Sequence, residues 1–451
     1  MSVTLDAPSL RAKSRARFGR FDPVIALTIA AFAWAVIPGF LQLQLGIRPG
    51  DTLGSASVTT PLSTLSKDLL LYVVYGLSAI AVLGSVIRRT RSGAWLLVYL
   101  SPWLALAIAS FAATRSFTIT SLIYLAIGLA VLDHADKIRI LRVVGILTAW
   151  VSVLSILMTL TTSQAFTSQA LVPDSKAIIG STLLNGPFYH PNTLGTVLAL
   201  GFPFAFLIKR TGWRRLSLVV IAFALVWTAS RTSILAVAVG LAAAGLWVAI
   251  RRLGDGSRLL LGLPQLLVYV AVIPVGVILV ATSNAKSFSA RGIIWEESLA
   301  LWKSRPFLGW GSDIYISISE TRSAIAGLAF HGHNMWVNTL TVAGIVGAAA
   351  LALVYISILV KSWRFGNIKP TTTSLTLAMW PIVFICLGWL EVPTTFFTFG
   401  YTSWAAWVPL AVVLAIPAGR YARSKNTIPA LSGHTGDEDH RASGELSTTV
   451  N

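Results

Sequence analysis

The sequence predicts an all-α, polytopic membrane protein of about twelve transmembrane helices, with a large extracytoplasmic loop that carries a surface helix. With 55% hydrophobic residues, 12% charged residues and a mean hydropathy of +0.74, the chain is one whose solvent is mostly lipid. Apolar runs long enough to cross ~30 Å of hydrocarbon recur along almost the whole length, and helices satisfy their own backbone groups there. The short alternating strands of a transmembrane β-barrel are absent from the pattern. Of the 35 Lys and Arg, 25 fall in segments that an alternating count puts on one side, which by the positive-inside rule is the cytoplasm.

The spans follow in order at 23–44, 69–87, 94–113, 117–133, 141–160, 193–208, 216–230, 233–250, 259–281, 335–360, 371–391 and 404–419. The basic run Arg11, Lys13, Arg15, Arg17 and Arg20 precedes an apolar stretch too long for a signal-peptide core, so residues 1–22 read as a cytoplasmic N-terminus before an uncleaved span. Connectors such as Arg88-Arg89-Thr90-Arg91 and Lys209-Arg210-Thr211-Gly212-Trp213-Arg214-Arg215 orient the helices that follow. Both termini then lie in the cytoplasm. The polytopic domain runs over 23–423, and 424–451, rich in Ser, Thr, Gly and acid, reads as a disordered tail. Asp437-Glu438-Asp439 in that tail reads as solvated charge. The net charge of +18 is spread over many connectors rather than gathered on one domain, so it points to membrane lipids and not to nucleic acid. Cys386, the lone cysteine, falls inside a span and reads as a packing residue.

Three outer connectors, 45–68, 161–192 and 282–334, are long enough to fold. In the last, Trp295, Leu299 and Trp302 share one helical face. That face either rests at the headgroup level or packs on other spans. The turn Arg305-Pro306-Phe307-Leu308-Gly309-Trp310-Gly311 then ends the helix.

Ionisable groups beside the bilayer are expensive, so those away from the cytoplasmic connectors are the candidates for function. Arg231, in Thr228-Ala229-Ser230-Arg231-Thr232-Ser233, sits at a tight junction of two apolar helices. It is either a snorkelling helix end or a guanidinium presented to phosphate. Arg291 opens the loop helix, where the macrodipole disfavours a cation unless an anion joins it. Its alternative is a solvated loop arginine. His333, in His331-Gly332-His333-Asn334, is the side chain suited to take a proton from a hydroxyl at neutral pH. A structural histidine is its alternative, and a metal site would need further ligands that are not visible nearby. Gly344 and Gly347 on the next helix read as positions where another helix packs closely.

These residues resemble the O-antigen ligases and the related O-antigen and exopolysaccharide polymerases of bacterial inner membranes. The His-Asn, nine residues, Gly, two residues, Gly signature is met at His333, Asn334, Gly344 and Gly347. The Ser-Arg-Thr junction at Arg231, the Arg-Gly…Trp segment at Arg291 and Trp295, the 306–311 turn and Tyr189-His190-Pro191-Asn192 extend the likeness over about 180–360.

The resemblance implies a glycosyltransferase of the cytoplasmic membrane that uses no nucleotide sugar, metal or other cofactor. Its donor would be a glycan on undecaprenyl diphosphate, and its acceptor a hydroxyl of a glycan or glycolipid on the outer face. By position, Arg231 and Arg291 would bind the diphosphate and stabilise charge as it leaves, and His333 would be the general base. Asn334 would orient the loop or substrate, His190, Asn192 and Lys176 would line the acceptor side, and Trp295 and Arg305 would also be substrate-binding. No feature separates a ligase from a polymerase. The rival reading is a transporter of a small solute or lipid-linked saccharide, which usually carries charge near mid-membrane, whereas Asp133 and Glu391 fall at span ends. A non-catalytic envelope scaffold is a third.

Overall fold

Asp22 shows how the sequence starts a helix: its carboxylate accepts from the backbone N–H of Val24 at 3.1 Å and Ile25 at 3.3 Å, with Pro23 in the first turn. The computed structural model describes residues 22–45, 59–87, 93–115, 117–134, 136–168, 176–252, 274–278, 280–282, 291–321, 331–367 and 371–417. The expected basic N-terminus, the tail 424–451, most of span 259–281 and part of the loop 282–334 lie outside the described residues.

The helices are α1 (Pro23–Gln44), α2 (Pro61–Ile87), α3 (Ala94–Thr114), α4 (Leu122–Asp133), α5 (Lys137–Met158), α6 (Pro191–Ala205), α7 (Thr211–Trp227), α8 (Arg231–Arg252), α9 (Arg291–Ser304), α10 (Ile314–Thr321), α11 (Met335–Gly366), α12 (Thr372–Leu390) and α13 (Ser403–Ala415). Seven of them, α1, α2, α3, α5, α8, α11 and α12, are long and apolar enough to cross a membrane. They meet seven of the twelve predicted spans, with α2 starting at Pro61 rather than at residue 69. At 117–133, 193–208 and 404–419 the helices are shorter than expected, with 12, 15 and 13 residues for α4, α6 and α13, whereas α7, with 17 residues, runs from Thr211 to Trp227 and so lies earlier in the chain than the expected 216–230. The fold is not purely helical. In the 161–192 connector, Phe166–Ser168 (β1) pairs antiparallel with Thr182–Leu184 (β2), Phe166 opposite Leu184.

Two helices form the centre. Every residue from Leu194 to Ala205 in α6, and from Thr376 to Trp389 in α12, is buried, as expected of helices apolar all round. Close approach of α5 and α6 depends on small residues, because a side chain at Gly145 would meet the Phe204 backbone and one at Gly201 would meet Thr148. Thr148, Ser152 and Ser155 return their hydroxyls to carbonyls four residues back, so these three buried polar groups are paired within their own helix. At the periphery, α2 exposes Leu65, Leu69, Tyr72, Val73, Ile80, Leu83 and Val86, a stripe suited to acyl chains.

The two ends of the bundle differ chemically. At one end, Arg142 donates to Leu207 O at 2.9 Å, Arg251 to Asn367 O at 2.7 Å and Lys361 to Ile416 O at 2.7 Å. These cations satisfy carbonyls just past the C-termini of α6, α11 and α13, which helix dipoles favour. At the other end, the C-terminus of α12 meets the N-termini of α6, α9 and α11.

Helix α11 is broken. Gly344 has φ 62° and ψ −157°, and the 306–311 turn enters the gap. Ile345 N–H donates to Pro306 O at 2.8 Å and Val346 N–H to Phe307 O at 3.2 Å, while Trp310 N–H and Gly311 N–H donate to Thr341 O and Val342 O at 3.0 and 2.9 Å. The backbone groups released by the break are thereby paired, the condition for irregular backbone at membrane depth. Gly344 therefore receives a turn rather than a second helix, which corrects the expectation for it. Gly347 faces its own helix across the kink, where a side chain would meet Ala343 and Thr339.

Candidate functional site

Glu391 is the centre of the polar end. It follows α12 directly, its N–H donating to Leu387 O at 2.8 Å, and its side chain is 8% exposed. Arg291 at the start of α9 forms a salt bridge with it and also donates to Leu390 O at 2.6 Å, so one guanidinium engages both a carboxylate and a helix C-terminal carbonyl. Asn192, in the first turn of α6, donates to Glu391 Oε1 at 3.3 Å. His333 Nδ1 stands 3.9 Å from Glu391 Oε2, too long for a hydrogen bond. That ring nitrogen is buried and has no hydrogen-bond partner among the described residues.

Electrostatics keep Glu391 ionised. Burial alone would raise its pKa, but the charge of Arg291 and the neighbouring His333 outweigh burial and hold it at about 2. The flanking histidines move the other way. His190 keeps an exposed edge, yet enclosure by its surroundings lowers it to about 4; Glu391 opposes this, and His333, Lys176 and Arg291 add to it. His331 falls to about 3, from burial first and then from His333. Both are neutral near pH 7, beside an ionised Arg–Glu pair.

Local structure fixes these positions. His190 is the N-cap of α6, its Nδ1 accepting from Asn192 N–H at 3.1 Å, and it follows Tyr189 at φ 60°. His333, at φ 45°, precedes Asn334, the N-cap of α11. Asn334 is fully buried: Oδ1 accepts from Trp336 and Val337 N–H at 2.8 and 3.1 Å, and Nδ2 donates to Trp389 O at 2.7 Å. It orients the loop, and its buried amide is spent on the protein rather than offered to a substrate. Ala229 at φ 50° leads into α8, so three of the four non-glycine residues with positive φ among those described stand just ahead of α6, α8 and α11. Left-handed backbone of this kind clusters at functional sites.

Of the residues expected from sequence, His333, Arg291, Asn192 and His190 are brought together around Glu391, and Lys176 is near enough to act on His190. Arg231 is the exposed first residue of α8, a helix held against α6 where a side chain at Gly195 would meet Ser230 and Ser233. Trp295 is not open to a substrate: it is 1% exposed and donates from Nε1 to Gly332 O at 2.8 Å. Trp302 donates to Pro306 O at 3.1 Å, so the Trp-rich face of α9 packs on the protein, the second of the two readings open for it. Arg305 lies over the Trp310 ring at 3.9 Å, in the turn that enters α11. Among the described residues no group of three or more His, Cys, Asp or Glu side chains is arranged to hold a metal ion.

Glu391 is the candidate site residue that sequence reasoning noted only as a charge at a span end. Its signal was present, a carboxylate directly after a long apolar run, but its partners lie 100 and 58 residues back, at Arg291 and His333.

Residues 216–352 match the family model described as O-Antigen ligase. The match takes in α8, α9, α10 and the break in α11, with Arg231, Arg291 and His333, whereas α6, α12 and Glu391 lie outside it. A search of curated proteins returns no match.

Proposed function

We propose, from an O-antigen ligase domain that supports membership of the O-antigen ligase/polymerase family of membrane glycosyltransferases, that this chain transfers glycan from undecaprenyl diphosphate to a sugar hydroxyl at the outer face of the bacterial cytoplasmic membrane. The observation that carries the reading is the meeting of Arg291, His333 and ionised Glu391 where three helix N-termini surround one C-terminus. Helix N-termini and guanidinium groups favour an anionic ligand such as a diphosphate.

His333 would take the proton of the acceptor hydroxyl on Nε2 as the acceptor oxygen bonds to the anomeric carbon. The bond from that carbon to the diphosphate oxygen breaks, and its electron pair leaves with undecaprenyl diphosphate, with inversion for a single displacement. Glu391, on the Nδ1 side of the ring, favours the imidazolium that forms, and it also holds Arg291 in place. Arg291 uses two of its five N–H donors on Glu391 and Leu390, which leaves three for the leaving group. Arg231, exposed at the adjoining helix start, would meet the same diphosphate. His190, Asn192 and Lys176 would line the acceptor side, while Asn334 and Trp295 support the loop.

Purified protein given a lipid-linked glycan and a glycan acceptor in the presence of chelator is expected to release undecaprenyl diphosphate. A requirement for added divalent metal, or no release with any surface-glycan acceptor, would overturn this chemistry.

A further inference from the structure

His333 is held in a conformation that a non-glycine residue seldom adopts, and the groups that hold it lie outside the residues that face a substrate. Its φ of 45° is in the left-handed region, which is costly for a residue with a side chain unless neighbours compensate. Three side chains engage the backbone just there. His331 Nδ1 accepts the N–H of His333 at 3.1 Å. Asn338, one turn into α11, accepts the N–H of Gly332 on Oδ1 at 3.1 Å. Trp295 donates to the carbonyl of Gly332 at 2.8 Å. Gly332 itself has no room for a side chain, which would meet the Tyr315 hydroxyl and the Asn338 backbone.

We propose that His331 and Asn338 are positioning residues, which hold the left-handed turn at Gly332-His333 and so aim the His333 ring between Glu391 and the bound acceptor. This rests on the base role given to His333 above. The acceptance by Nδ1 places the proton of neutral His331 on Nε2, so His331 serves as a fixed acceptor and not as a second base. Asn334 caps the helix and pins the loop to Trp389, while His331 and Asn338 set the turn ahead of it.

The chemistry of the contacts predicts which replacements work. His331→Phe keeps the ring but loses the acceptor, whereas His331→Asn places an oxygen near the position of Nδ1. Asn338→Leu keeps the volume, while Asn338→Asp keeps the accepting oxygen. The assay uses the full-length protein in detergent with the native lipid-linked glycan, extracted from a strain that lacks it. His331→Phe and Asn338→Leu are expected to lower kcat about 10- to 100-fold, as misplacement of a reacting group does, with KM for the donor little changed. His331→Asn and Asn338→Asp should recover most of the turnover. Wild-type kcat in both apolar variants, or conservative variants as impaired as the apolar ones, would overturn the assignment. Two pairs are needed because either apolar variant alone could fail to fold. His333→Ala, assayed beside them, separates the two readings. Full turnover there removes the base and with it the positioning role, whereas loss there alongside unimpaired His331→Phe and Asn338→Leu removes only the positioning role.

Discussion

Glu391 shows how one buried charge organises a site. Its carboxylate receives Arg291 and Asn192 and faces His333, so three segments distant in sequence are tied to the end of α12. The ordinary carboxylate value of 4.5 falls to about 2 in the folded protein, so the unfolded chain binds more protons between those values. Stability from this group is therefore fully present above pH 4.5 and is lost as the pH falls toward 2. Glu391→Gln keeps the shape but leaves Arg291 without its counter-charge, a loss on the order of 3 kcal/mol for a buried pair. Thermal unfolding in detergent should then show wild type above Glu391→Gln near neutral pH, with the difference closing as the pH drops below 4.5. A difference that does not change with pH would mean that the carboxylate stabilises through hydrogen bonds alone. His333, Arg291, His190 and Asn192 were legible because each sits in a short motif or is a charge beside an apolar run. Glu391 was not, since its importance comes from partners that only the fold supplies.

At the level of elements, the break in α11 links the loop helix to the membrane bundle. The sequence marked 306–311 as a turn, but it read Gly344 as a place for another helix where the turn itself is seated, because local pattern carries no information on what a turn docks against. The contact joins backbone to backbone, with four hydrogen bonds of 2.8 to 3.2 Å and no side-chain code to read. Gly344→Ala should be costly for two reasons. A Cβ at φ 62° is strained by about 1–2 kcal/mol, and it would also run into the Phe307 backbone. We expect a lower melting temperature together with reduced transfer, because the 306–311 turn leads back through α9 to Arg291. Gly212→Ala, at an exposed position with open space around it, is the matched control and should change neither. A Gly344→Ala protein that melts and works like wild type would show that the turn can leave the helix without consequence. The Trp-rich face of α9 gives the same lesson, since its spacing was readable but the surface it covers was not.

For the whole molecule, hydropathy read the long helices well because about 20 apolar residues are needed to span the bilayer and little else has that composition. It read the short ones poorly. Helix α4 starts later than its apolar run, α6, α7 and α13 end sooner than theirs, and α6 is buried by neighbours on all sides, so its apolar character does not report on lipid. What the structure adds is two chemically distinct ends, one where Arg142, Arg251 and Lys361 satisfy helix C-termini and one where Glu391 gathers Arg291 and His333. The topology we propose from the positive-inside rule has the first end in the cytoplasm and the second on the face where the proposed lipid-linked donor would lie. The chain suits a direct test, since its single cysteine, Cys386, is buried within α12 and leaves a background nearly silent to thiol reagents. Cysteines placed at the exposed positions Arg305 and Arg210 should report opposite sides. A membrane-impermeant maleimide is expected to label Arg305→Cys in cells whose cytoplasmic membrane is intact, and Arg210→Cys only after that membrane is opened. The reverse pattern would turn His333 and Arg291 toward the cytoplasm, out of reach of a carrier in the outer leaflet, and the transfer reaction would have to be abandoned even with the site geometry unchanged.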